Sequence, residues 1–191
     1  MRILEIGSRN VTGANRRSQF SNAEYIGFDF YPGENVDVVG DAHQLSKYFA
    51  AGERFDLIFS SAVFEHLCMP WVVATEIQKI LKTGGLVFVE THFSFSSHER
   101  PWHFFQFSDQ GLRALFNSAL GFDLVDSGMS NPITGYFDRD ADPYLRYQPV
   151  GELYCHSAIL CRKREDISEF AWQNVVLDDV VNGTRYPLPR T

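Results

Sequence analysis

The 191-residue chain is short of cysteine, of positive charge and of long apolar runs, and each shortage closes off a class of protein. Cys68, Cys155 and Cys161 are an odd set without metal-site spacing, so a disulfide framework is not expected and they read as reduced thiols. Lysine and arginine number 17 against 24 aspartates and glutamates, a net charge of −7. That balance disfavours a surface that tracks phosphates, so nucleic acid is not the expected partner. No window approaches the apolar length of a membrane span, and the N-terminus lacks the charged and apolar regions of a signal peptide. No membrane partner and a cytoplasmic location are therefore expected.

What is present is a globular chain, 45% hydrophobic and 15% aromatic, of a length suited to one domain. It opens on Arg2-Ile3-Leu4-Glu5-Ile6-Gly7-Ser8, a short apolar strand running into a glycine turn. A second apolar run, Tyr25-Ile26-Gly27-Phe28-Asp29, ends in an acid. Strand, glycine turn, strand and carboxylate form the layout of a nucleotide-type site, because glycine admits a close ligand and a carboxylate can accept from ribose hydroxyls. Val36–Val39 reads as a third strand and Phe55–Phe59 as a fourth. Pro70 can start a helix, and Trp71, Ala74, Ile77, Ile80 and Leu81 recur at helical spacing. Lys82-Thr83-Gly84-Gly85 is expected to end that helix with a glycine cap. Leu86–Val89 is a fifth strand, and a helix is expected over 109–119 with Ser108 as its N-cap. Two more strands are expected at Phe122–Asp126 and Leu153–Cys161. Alternation of this kind indicates an α/β domain with a mostly parallel sheet.

Five segments, in order, resemble the class I methyltransferases that use S-adenosylmethionine: Glu5-Ile6-Gly7-Ser8, Asp29, Gly40-Asp41-Ala42, Phe55–Ile58 with Val63–Leu67, and Ile80–Gly85. The resemblance implies a Rossmann-like three-layer sandwich with a seven-stranded sheet whose last strand is antiparallel. It also implies S-adenosylmethionine as cofactor and a small-molecule acceptor, methylated at a hydroxyl oxygen. By the same resemblance Glu5, Gly7 and Ser8 address the methionine end, Asp29 and Phe30 the ribose, and Asp41 and Ala42 the adenine. Ser60 and Ser61 line the transfer channel. The chain departs from the family by carrying Arg9 where a second glycine is usual. The family also commonly places helices before its first strand, whereas here that strand begins at once. Cover for the site is then expected from the stretch after the fifth strand or from another chain. A fold relative that binds the cofactor without catalysis is the main competing reading. A nicotinamide oxidoreductase fits less well, because Gly7 lacks the full G-x-G-x-x-G series.

The acceptor side is expected between His92 and Phe107, where Phe93, Phe95, Trp102, Phe104, Phe105 and Phe107 crowd around His98 and His103. Imidazole titrates near neutral pH, so His103 or His66 is the expected base. Glu65-His66 resembles part of the Glu-x-x-Glu-His metal motif of some quinone-biosynthesis O-methyltransferases. Ala62 stands where the first glutamate would be, so no metal is expected. Residues 1–164 are read as the domain, and 165–191 as an extension that packs on it or on a second copy of the chain. Within that extension Val180–Tyr186 carries an Asn182-Gly183 hairpin signal.

Overall fold

The computed structural model describes residues 1–13 and 15–181. Its framework is a seven-stranded sheet in the order β3-β2-β1-β4-β5-β9-β6. The strands are β1 Arg2–Ile6, β2 Glu24–Asp29, β3 Val38–Val39, β4 Phe55–Ser61, β5 Leu81–His92, β6 Phe122–Pro132 and β9 Tyr154–Lys163. Two short strands, β7 Gly135–Tyr136 and β8 Pro149–Val150, pair apart from it. β1 to β5 are mutually parallel. β9, the last strand among the described residues, runs antiparallel between β5 and β6. The expected mixed sheet is therefore the observed one.

Period-two alternation sends one set of strand residues to each face. Leu4, Ile6, Phe28, Ile58, Val87, Val89, Ile159 and Cys161 join one buried cluster beneath α1 (Pro70–Ile80) and α2 (Asp109–Leu115). Val73, Ala74 and Ile77 of α1 and Leu112 and Leu115 of α2 complete it, with Ala42 and Leu45 from a 3-10 segment at Ala42–Tyr48. Each large apolar side chain so buried contributes about 1.5–3 kcal/mol. The opposite face is covered more thinly. Ile3, Tyr25 and Phe59 are buried there beneath Phe20 and Ala23, while Leu57 and Phe88 stay half-buried. The third layer is thus reduced to one short turn at Arg17–Phe20.

Polar residues fasten the helical layer. Glu76 of α1 accepts from the backbone N–H and the hydroxyl of Ser46 (2.7 and 2.6 Å) and from Lys79 (2.5 Å). Lys163, at the end of β9, is wholly buried. Its ammonium donates to the carbonyl oxygens of Gln78 (2.5 Å) and Leu81 (2.7 Å) and to Asp166 (2.6 Å). It therefore supplies partners and positive charge where α1 runs out of intrahelical donors.

Three expectations change. α1 ends at Ile80 with Leu81 already extended, so no glycine caps it. Register passes from Phe55↔Leu81 to Leu57↔Leu86, and Lys82–Gly85 bulges from the strand with Gly84 at φ +81°. The glycines serve the bulge. α2 stops at Leu115 instead of continuing to 119, because Asn117 turns its side chain onto the backbone at Ala114 and Leu120. β3 begins at Val38, two residues late, because Val36 N–H closes a turn onto Gly33 and Asp37 N–H is spent on Gly27. Ser108 caps α2 as expected, accepting from Gly111 N–H at 3.0 Å.

In the extension, Phe170 and Trp172 pack against the main core, and the Ser118 hydroxyl donates to Asp179 at 3.0 Å. The expected hairpin turns on Asn182 and Gly183, which lie outside the described residues.

Candidate active site at the carboxyl edge of the sheet

Parallel strands deliver their last residues to one edge, and Gly7, Ser8, Asp29 and Asp41 of the sequence-predicted cofactor residues stand there. Gly7 leaves β1 at φ +84°, and a Cβ on it would meet Val63 Cγ2 at 2.1 Å. Both the dihedral and the close approach require glycine. Gly7 and Ser8 N–H donate to the Phe28 carbonyl (2.8 and 3.1 Å), which ties the turn to β2. Ser8 is buried, and its hydroxyl has no hydrogen-bond partner among the described residues.

Asp29 stands at the end of β2. One carboxylate oxygen accepts from Arg9 N–H (3.2 Å) and the other from Tyr31 N–H (3.0 Å). The Arg9 guanidinium lies outward, with Nε 3.5 Å from Asp29 and its head over the Tyr31 ring. Phe30 is exposed, its ring 6.3 Å from that of Trp102. Asp41 accepts from His43 N–H (2.9 Å) and pairs with the His43 ring (2.7 Å). Burial would raise its pKa, but the two His43 contacts outweigh that and hold it below the usual range. Ala42 is buried in the core.

Glu5 points to the thinly covered face, where the Tyr25 hydroxyl donates to it and Arg16 Nε lies 3.9 Å away. Burial is the main cause of its raised pKa, opposed by Tyr25 and Arg16. Arg16 also donates to Ser61 (2.8 Å), and Ser61 to Glu90 (3.1 Å). Ser60 is 1% exposed and spends its hydroxyl on the Ile6 carbonyl at 3.0 Å. It joins β4 to β1 rather than lining the edge.

The segment after β5 folds back onto the same edge. Phe104 N–H donates to the Glu65 carbonyl (2.8 Å), Phe107 N–H to that of His92 (2.9 Å), and the Ser157 hydroxyl to that of Phe107 (2.7 Å). His66 Nδ1 donates to the Trp102 carbonyl (3.0 Å), so in the neutral ring Nε2 keeps its lone pair. His103 Nδ1 instead accepts from His98 N–H (3.3 Å), which puts the proton on a buried Nε2 that has no hydrogen-bond partner among the described residues. The two rings lie 5.9 Å apart. One presents a lone pair and the other an N–H.

Sequence reasoning missed the centre of this group. Glu65 is fully buried, with one oxygen accepting from the Thr91 hydroxyl (2.5 Å). Its other oxygen lies 2.7 Å from His92 Nδ1 without the alignment of a hydrogen bond, and neither atom has a hydrogen-bond partner among the described residues. Burial holds the His92 pKa below its ordinary value, with Glu65 opposing. His92 also stacks on Phe95, ring centroids 4.4 Å apart. A histidine at a strand's end gives no sign of such a partner, since Glu65 comes from another turn. A concavity of about 370 Å³ between α1 and Phe170–Gln173 shares none of these residues.

This architecture recurs in known proteins. A putative methyltransferase from Bacillus halodurans superposes with a TM-score of 0.64 at 15% identity, over 86% of this chain and 93% of that one. An Archaeoglobus fulgidus SAM-dependent methyltransferase gives 0.59 at 16% identity, over 85% and 86%. The Burkholderia thailandensis 1,6-didemethyltoxoflavin-N1-methyltransferase, solved with bound substrate and S-adenosylhomocysteine, gives 0.57 at 14%, over 86% and 71%. No curated protein matches the chain by sequence. Residues 1–125 match the methyltransferase domain family, and the chain belongs to that family.

Proposed function

We propose that the protein is an S-adenosylmethionine-dependent methyltransferase acting on a small molecule, at a hydroxyl oxygen. The observation that carries this reading is the meeting of Gly7, Asp29 and Asp41 at one sheet edge with the His66–His103 pair above it. The residues fit the cofactor. Each Asp29 oxygen accepts one backbone N–H and retains a lone pair for a ribose hydroxyl. The Arg9 head and Arg16 offer positive charge to a carboxylate, and the unpartnered Ser8 hydroxyl lies at the same turn.

When bound, S-adenosylmethionine supplies a methyl group already activated by its sulfonium. The chain's own task is then alignment and removal of the acceptor's proton. His66 Nε2 takes that proton, while His103 Nε2–H donates to the acceptor. Trp102, Phe104 and Phe30 wall the cleft against water. These rings are 53%, 44% and 54% exposed, an apolar surface that an acceptor would cover.

One observation favours a second reading, a binding module without turnover. Arg9 already leans on Asp29, and Val63 fills the space over Gly7. Calorimetry with S-adenosylhomocysteine separates the cases. Asp29→Ala should cost about 1.5–3 kcal/mol, roughly ten- to a hundredfold in affinity. Unchanged affinity in a folded variant would remove the assignment. Tight binding without methyl release over a broad panel of hydroxylated acceptors would favour the module.

A further inference from the structure

Five of the six histidines meet at one place, which composition alone does not explain. His98 lies 4.9 Å from His66, 5.2 Å from His92 and 4.7 Å from His103, ring centre to ring centre, and His156 is 5.2 Å from His92. Beside His92 and His66 lies the carboxylate of Glu65, wholly buried and with one oxygen lacking a hydrogen-bond partner among the described residues. An isolated buried carboxylate is costly unless something positive reaches it. Among the described residues no lysine or arginine pairs with it; only histidines do.

We propose that Glu65, His92 and His98 bind a divalent first-row transition ion of the zinc type. One ligand atom from each residue lies within 4.8 Å of the other two. Ligands about 2.0–2.1 Å from one ion stand ~3.3 Å apart in a tetrahedral site, and no more than ~4.2 Å apart in any. Glu65 and His92 come from rigid elements, while His98 is on the returning loop. Its ring, carried on that loop, is the one that adjusts to close the site.

The orientation of the rings supports this. His98 Nδ1 donates to the Ser96 carbonyl at 2.9 Å, leaving Nε2 with its lone pair. A metal-bound imidazole characteristically spends its other nitrogen in this way. His92 Nδ1 and Glu65 Oε1 approach to 2.7 Å without the alignment of a hydrogen bond, so both atoms are left without a hydrogen-bond partner among the described residues. Two imidazoles and one carboxylate suit zinc, cobalt, nickel or iron(II), whereas magnesium and calcium prefer oxygen. Three protein ligands leave a fourth position open, on the side of His66. The expectation of a metal-free site rested on Ala62. Of the ligands proposed here, Glu65 comes from that same turn, and His92 and His98 come from the end of β5 and the loop after it.

The test is calorimetric titration of the tag-free, full-length chain with zinc and with cobalt(II), without cofactor or acceptor. One equivalent of zinc should bind, unaffected by millimolar magnesium, and cobalt(II) should give the visible absorption of a low-coordinate nitrogen–oxygen site. His98→Ala and Glu65→Gln should each weaken zinc by about a hundredfold or more, beyond the loss typical of an outer-shell partner. His98 is partly exposed on a loop, so its variant remains folded even if the buried Glu65→Gln does not. Cys68→Ser should change nothing. Cys68 is exposed 3.6 Å from His43 and is the obvious adventitious ligand. No stoichiometric zinc, zinc binding indifferent to His98→Ala, or zinc lost with Cys68→Ser would each overturn the proposal. Methyl transfer is not measured, so failure here leaves the methyltransferase reading untouched.

Discussion

At the scale of single residues, the edge of the sheet sets groups apart by what their neighbours leave free. His66 and His103 are the same side chain with opposite tautomers, imposed by a carbonyl in one case and an N–H in the other. If His66 removes the acceptor's proton, His66→Ala should lower kcat by roughly a hundredfold or more. His103→Ala, which deletes only a donor, should cost less. Steady-state kinetics of both variants checks this, and equal losses would contradict the division of labour. Glu5 provides a pH signature. Its pKa is raised on folding, so its stability contribution is full below the unfolded carboxylate pKa and is lost as pH rises through the folded value. Glu5→Gln keeps an acceptor for Tyr25 and removes the buried charge. Its Tm should exceed that of the parent at pH 7, and the gap should close by about pH 4.

At the scale of elements, what could be read in the sequence was the regular part. β1, β2, β4 and α1 stood out because their apolar residues recur at period two or 3.6. The helix ends did not. Gly84 resembled a helix cap, because a strand bulge and a cap both ask for positive φ. Lys163 was hidden for a deeper reason. Its sequence position is that of an ordinary charged strand end, and only the packing of β9 against the end of α1 makes it a buried clasp. Lys163→Met keeps the volume but leaves two carbonyl acceptors unmet, each worth about 1–3 kcal/mol, so a loss of about 2–6 kcal/mol is expected in denaturant melts. The variant should also flatten the acid limb of stability. The Lys163 ammonium holds the Asp166 carboxyl below its ordinary value. That contribution is present above the unfolded pKa and is lost as pH falls through the folded one.

At the scale of the whole molecule, the candidate cofactor site was legible and the histidine cluster was not. Glycine and acid at strand ends follow one another in sequence, and the parallel sheet carries each to the same edge. Glu65, His92 and His98 belong to two turns whose meeting depends on the loop's return to the Glu65 and His92 carbonyls. No local pattern encodes such a contact. The extension is another long-range element. A chain ending at Arg164 keeps every strand of the main sheet but loses Phe170 and Trp172 from the core and Asp166 from Lys163. Its circular dichroism should keep its shape while its Tm falls by several degrees.

The place of β9 has a consequence in time. The strand between β5 and β6 is, among the described strands of the sheet, the last to be synthesised. While a ribosome is still making the chain, β1 to β5 can assemble, but β5 keeps an open edge and β6 has nothing to pair with. That edge includes Phe88, which also faces the thinly covered side. Until residue 163 emerges, the nascent protein is a half-sheet with an exposed template for wrong pairing. The growing chain therefore depends on β9, or on a chaperone until that strand arrives, to become a single folded molecule.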